Sequence, residues 1–169
     1  FTSGQSLIRT ILQKMDGINE WRRRFIIECF MMFLTIRGRI NFLSLGRYGS
    51  YDESTYRRGF QKEFDFMTFN YQLIDQFCTD DIILGFDPSY IPKSGKSTPC
   101  LGYFYSGCEG RYKKGLEIGC IAAIDLGKNT SFHIEAIQSP PSKRDKTAEG
   151  VSLVTHYADC IITRAAELE

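Results

Sequence analysis

Apolar and polar positions along the chain change period near its middle. Up to about Asp75 the apolar residues recur at helical spacing. From Asp81 to Gln138 they come in short, β-branched runs typical of strands, and a helical stretch closes the chain. In the first half the spacing predicts a short helix from Ser6 to about Gln13 and a longer one from Trp21 to Ile36. Two short helices are predicted at Asn41–Tyr48 and from near Tyr51 to Phe60. Ser50-Tyr-Asp-Glu53 has the form of a capping box, and a Gly-containing turn separates the pair. In the second half Ile82-Ile-Leu-Gly-Phe86 reads as a strand buried on both faces and ending at Asp87-Pro88. Leu116–Ile124 and Thr130–Gln138 are two further strands, joined as a hairpin through the turn-rich Asp125-Leu-Gly-Lys-Asn129. From about Thr147 the residues Val151, Val154, Ala158, Ile161, Ala165 and Leu168 step by three and four, predicting a one-faced helix. The expected architecture is α/β: an all-helical region at 1–75 followed by a β-β-β-α unit at 76–169.

Composition narrows the class without fixing a function. The 169 residues are 43% apolar, 24% charged and 14% aromatic, which is ordinary for a folded domain. The formal charge of +1 excludes a uniformly basic coat. It divides into +3 over residues 1–75 and −2 over residues 76–169, and the 91–114 segment alone carries +4. The longest apolar run, Phe25–Ile36, contains Glu28 and falls well short of the ~20 residues a membrane span needs, so a buried helix is expected. Six cysteines occur without a C-x-x-C pair, and only His133 and His156 are available beside them. Free thiols in a reducing cytoplasm are expected, and a structural zinc site is not. The chain opens on Phe1 and stops at Glu169 inside a helical pattern, so a piece of a longer protein is expected.

Two places could carry chemistry. The Asn41–Phe60 pair has the outline of a helix-turn-helix whose second helix would present Arg57 and Arg58 to DNA. A plain helical hairpin with solvated arginines is the alternative, and Arg22-Arg23-Arg24 divides in the same way between a phosphate-contacting cluster and a charged helix flank. The other place is Asp87. A carboxylate closing a buried strand needs compensation, and a basic loop follows it: Lys93-Ser-Gly-Lys96, then Arg111, Lys113 and Lys114. A carboxylate that could hold Mg²⁺ or Mn²⁺ beside a basic groove suits phosphodiester chemistry. An Asx turn ending a strand is the plain alternative.

A resemblance favours the first reading. Phe86-Asp-Pro-Ser-Tyr-Ile-Pro-Lys-Ser-Gly-Lys96, Leu101-Gly-Tyr-Phe-Tyr-Ser-Gly107, Lys114-Gly-Leu-Glu117 and Phe132-His-Ile-Glu-Ala-Ile-Gln138 together resemble the start of the catalytic domain of bacterial DDE-type insertion-sequence transposases. Arg22-Arg-Arg-Phe25, Ile36-Arg-Gly-Arg39 with Asn41-Phe42, and Tyr56-Arg-Arg58 are similar to the family's N-terminal region. The resemblance implies an incomplete ribonuclease-H-like core, an antiparallel meander whose following helix crosses to a parallel fourth strand. It implies that Asp87 is the first catalytic, metal-holding aspartate, with the two further carboxylates downstream. Asp125, Asp145, Asp159, Glu167 and Glu169 do not match them by position; Glu117 and Glu135, in strands, are candidates for supporting the site. The implied activity is metal-dependent nicking of element ends and strand transfer in the intact protein, in a bacterial cytoplasm near the nucleoid. Double-stranded DNA is the implied partner, and an unpaired sheet edge would favour a homodimer. Two rival classes remain: a DNA-binding remnant without catalysis, and a ribonuclease-H-like repair nuclease.

Overall fold

The computed structural model describes residues 2–142, 147 and 150–168. The chain forms two compact units, Phe1–Gln72 and Leu73–Glu169. The described residues make six helices and a four-stranded antiparallel sheet, a mixed α/β composition.

In the first unit the helices are α1 (Thr2–Lys14), α2 (Glu20–Thr35), α3 (Phe42–Tyr48), α4 (Glu53–Phe60) and most of α5 (Phe66–Phe77). Buried Phe25, Ile26, Ile27, Cys29 and Met31 place the apolar run inside α2. No helix among the described residues is long and apolar enough to cross a membrane. The Phe25 ring packs directly against Gly59 of α4; a Cβ there would stand 2.1 Å from its Cζ. Fully buried Tyr56 sends its hydroxyl 3.1 Å to Glu28, which also accepts from the Ser50 amide. That use of Ser50 corrects the expected capping box. The helix starts at Glu53, and the Asp52 carboxylate accepts from the Thr55 amide at 2.7 Å. A carboxylate in this position satisfies an orphan N–H and complements the helix dipole. The reciprocal box belongs to α3, between Asn41 and Ser44.

In the second unit the strands are β1 (Ile82–Pro92), β2 (Gly102–Ser106), β3 (Arg111–Asp125) and β4 (Thr130–Gln138), followed by α6 (Leu153–Leu168). The long β3 is the spine. β1 pairs along one side of it, while β2 and β4 pair with its first and second halves. The hairpin at Asp125–Thr130 forms as the turn residues indicate. Three expectations are corrected. β1 does not end at Asp87-Pro88 but runs on to Pro92, because an edge strand tolerates prolines that a central strand would not. It is not buried on both faces, since Ile83 is 50% exposed. β2 is a fourth strand beyond the three expected.

Alternation along β3 sorts the sheet's two faces. Odd positions from Gly115 to Asp125 are buried and even ones only partly so. On the buried face the tip of the Phe86 ring lies against Gly119, and Tyr157 of α6 stacks on the same ring with centroids 4.9 Å apart. Tyr157 also donates to buried Glu117, as does Ser139, and Arg164 of α6 binds Glu135 at 2.6 Å. These contacts set the rotation of α6 and correct the expected apolar stripe. Leu153 is buried, whereas Val151 and Val154 point outward, the latter 73% exposed. The helix begins at Leu153 rather than near Thr147, so Val151 precedes it.

Candidate functional site

Asp87 sits in the middle of β1, directly opposite Cys120 of β3. Cys120 is an even position, so this pair lies on the face of the sheet away from α6. Asp87 is exposed. The expected burial of this carboxylate is corrected: the Asp87 side chain faces solvent on an open sheet surface and needs no compensating cation. Beside it, the Cys120 sulfur is 2.9 Å from His133 Nδ1. Partial burial and the neighbouring Asp87 charge both raise the Cys120 thiol. A raised thiol is a poorer nucleophile at neutral pH, which argues against an activated nucleophilic dyad here.

The basic residues divide into three groups. Lys93 and Lys96 are exposed in the loop after β1, and Lys114 reaches that loop by donating to the Gly95 carbonyl at 2.9 Å. Lys114 shares Cys120's parity on β3, so it belongs to the Asp87 face. None of the ion pairs among the described residues involves these three lysines. Arg111 and Lys113 have the opposite parity, and Glu109 in the hairpin turn binds both. Those ion pairs lower the Glu109 carboxyl, Lys113 contributing most. Arg57 and Arg58 belong to α4 in the other unit. Arg57 pairs with Glu53 at 2.7 Å and covers the Phe42 ring at 4.8 Å, and Arg58 bonds back to the Ser54 carbonyl.

The Arg22–Arg24 cluster is engaged inside the first unit. Arg22 donates to the carbonyls of Gly59 and Lys62 at 2.7 and 2.9 Å, closing the end of α4. Arg23 and Arg24 share Glu20. An apolar cavity of about 260 Å³ lies beside Arg22, walled by Phe25, Ile26, Cys29, Phe30 and Phe33. Burial pushes the Cys29 thiol up to about 12, leaving it inert at neutral pH.

Glu117 and Glu135 do not support Asp87. Both project from the α6-covered face, where Tyr157, Ser139 and Arg164 hold them. Asp125 is not a loose turn residue. It is fully buried and gathers the Thr79 amide, the Thr79 hydroxyl and the Lys128 amide within 2.9 Å. The Thr79 hydroxyl foremost lowers its carboxyl to about 2. Asp159 is exposed on α6 and Glu167 pairs with Arg164, while Asp145 and Glu169 lie outside the described residues.

Sequence reasoning missed the aromatic surface of the β2–β3 hairpin. Tyr103, Tyr105 and Tyr112 are exposed on it; the period-two Gly-Tyr-Phe-Tyr-Ser run was the available signal. All six cysteines are free of disulfides. Among the described residues no three His, Cys, Asp or Glu side chains gather in a way that could hold a metal ion. A lone carboxylate such as Asp87 could supply one oxygen ligand to a hard divalent cation, which takes about six or more. No known protein family, curated protein or solved structure matches this chain.

Proposed function

We propose that this chain is the DNA-engaging part of a metal-dependent DNA strand-cleaving and strand-transferring enzyme of the DDE type. The observation that carries the reading is the placement of Asp87: an exposed carboxylate in mid-strand, on the same open sheet face as Lys114 and on the strand that leads into the Lys93–Lys96 loop. Phosphodiester chemistry needs an anchored carboxylate for a divalent cation and separate cations to hold the backbone. The order β4-β3-β1 with all-antiparallel pairing also suits a ribonuclease-H-like core. In that core a parallel strand would add beside β1. The proline-free Ile82–Asp87 half of β1 still has N–H groups along its whole length for such pairing.

In this reading Asp87 supplies one oxygen ligand and fixes where the scissile phosphate lies. Mg²⁺ or Mn²⁺, when bound, would activate water or a 3′-hydroxyl and neutralise the leaving oxygen. Lys93, Lys96 and Lys114 hold flanking phosphates, and Glu109 tempers the charge of Arg111 and Lys113. The remaining two carboxylates are those the resemblance implies downstream. A bacterial cytoplasm near the nucleoid is the matching location.

DNA binding by the 169-residue chain tests the reading. Affinity should fall linearly in log–log form with salt. Lys93→Ala with Lys96→Ala should reduce the slope by roughly two phosphate contacts, about 1.8, while leaving the fold intact. An unchanged slope would refute the assignment of that loop to DNA.

A further inference from the structure

Beyond Asp87 and its lysines, the sheet carries an aromatic platform on its open face. β2 and the start of β3 form a two-stranded ribbon in which Tyr103 opposes Lys114 and Tyr105 opposes Tyr112. Tyr103 is 50%, Tyr105 52% and Tyr112 39% exposed. Between the two β2 tyrosines, Phe104 turns inward and is fully buried. The ribbon is therefore pinned from behind, and the Tyr103 amide is tied to the Ser142 carbonyl at 2.7 Å. Tyr105 and Tyr112 meet edge to face at 5.5 Å, which fixes their rings. Because β3 runs without a register shift from Arg111 to Ile121, Tyr112 and Lys114 share a face with Cys120 and hence with Asp87. Lys114 stands six residues from Cys120, about 20 Å at the usual rise per strand residue.

We infer that this tyrosine ribbon stacks the unpaired bases of single-stranded DNA leading to the Asp87 position. Exposed rings beside Lys114, which takes part in none of the ion pairs among the described residues, complement a polyanion that also offers flat apolar faces. Duplex DNA keeps its base faces stacked inside and can present only its backbone and groove edges. An unpaired strand presents both phosphates and base faces. The inference deepens the reading of Asp87 as a DNA-cleaving centre by naming the form of DNA that lies along the sheet.

Fluorescence anisotropy with a labelled oligothymidylate of about twenty nucleotides, its duplex and an RNA of equal length tests it, using the whole chain without metal. Base stacking on an aromatic ring is worth about 5- to 150-fold per base. Tyr103→Leu with Tyr105→Leu should thus weaken single-strand binding at least tenfold, with duplex binding held within twofold. Tyr103→Phe with Tyr105→Phe should bind the single strand within twofold of the parent, which separates stacking from the hydroxyls. Circular dichroism should show the same secondary structure in both pairs. Single-strand binding that ignores the leucine pair, or RNA bound tenfold more tightly than DNA, overturns this inference. Duplex binding with no tyrosine-dependent single-strand binding overturns it alone, whereas failure to bind any DNA at low salt overturns the reading of Asp87 as well.

Discussion

Gly119→Ala should destabilise the sheet unit severely, although alanine is the better strand former. Glycine in a strand interior costs roughly 0.5–1 kcal/mol relative to alanine, so propensity alone predicts a gain. Packing predicts the reverse. A Cβ at position 119 would stand 2.0 Å from Phe86 Cζ and 2.7 Å from both Cε atoms. Carbon atoms rest at about 3.5–4.0 Å, so the ring would have to retreat by roughly 1.5 Å. It cannot retreat freely, because Tyr157 of α6 stacks on it with centroids 4.9 Å apart and planes 26° apart. Tyr157 in turn holds Glu117 through its hydroxyl. Overpacking costs about 1–3 kcal/mol, and losing the aromatic stack about 0.5–1.5 more. A net loss of about 2–3 kcal/mol follows after the propensity gain, a fall in Tm of roughly 10–20 °C for a unit of this size. Thermal unfolding followed by circular dichroism, with hydrogen exchange at β3 amides to assign the transition, measures it. Phe86→Leu added to Gly119→Ala should recover about half of the loss, a coupling a double-mutant cycle isolates. A Gly119→Ala variant melting at or above the parent would refute the packing of Phe86 between Gly119 and α6.

Two further predictions concern charged groups that hold structure. The Asp125 carboxyl is depressed from 3.8 to about 2 in the folded state, with the Thr79 hydroxyl as the main cause. Its contribution is therefore complete above about pH 4 and lost as the pH falls towards 2; Asp125→Asn should flatten stability across that window, as acid titration of urea midpoints would show. Arg22→Ala removes charge-assisted bonds to the Gly59 and Lys62 carbonyls. It should cost the N-terminal unit about 2 kcal/mol in denaturant unfolding. Arg22→Lys should not restore it, since an ammonium lacks the fork that spans two carbonyls.

The elements legible in the sequence are those whose causes are local. α2 follows from its apolar run, and the β3–β4 hairpin from Asp125-Leu-Gly-Lys-Asn129. Pro88 conceals the continuation of β1, because a strand with prolines is possible only where one edge stays unpaired, and that is a property of the sheet. β2 is only five residues long, and α6 is rotated by Tyr157 finding Phe86, a contact between residues 71 positions apart. At the site, Asp87 and the lysine loop are legible as residue types. Their grouping is not: parity on β3 sends Lys114 to the Asp87 face and Arg111, Lys113 and Glu117 away from it, and Glu135 of β4, opposite Ile121, also lies away from it. The contact of Cys120 with His133 likewise depends on the pairing of β3 with β4.

The most direct measurement of the central claim is Mg²⁺-dependent nicking of DNA by a polypeptide that carries this chain together with the two downstream carboxylates. Asp87→Asn should abolish nicking and leave DNA binding within a few-fold, because Asp87 is exposed and takes no part in the core. Nicking at the parental rate by Asp87→Asn would contradict the account.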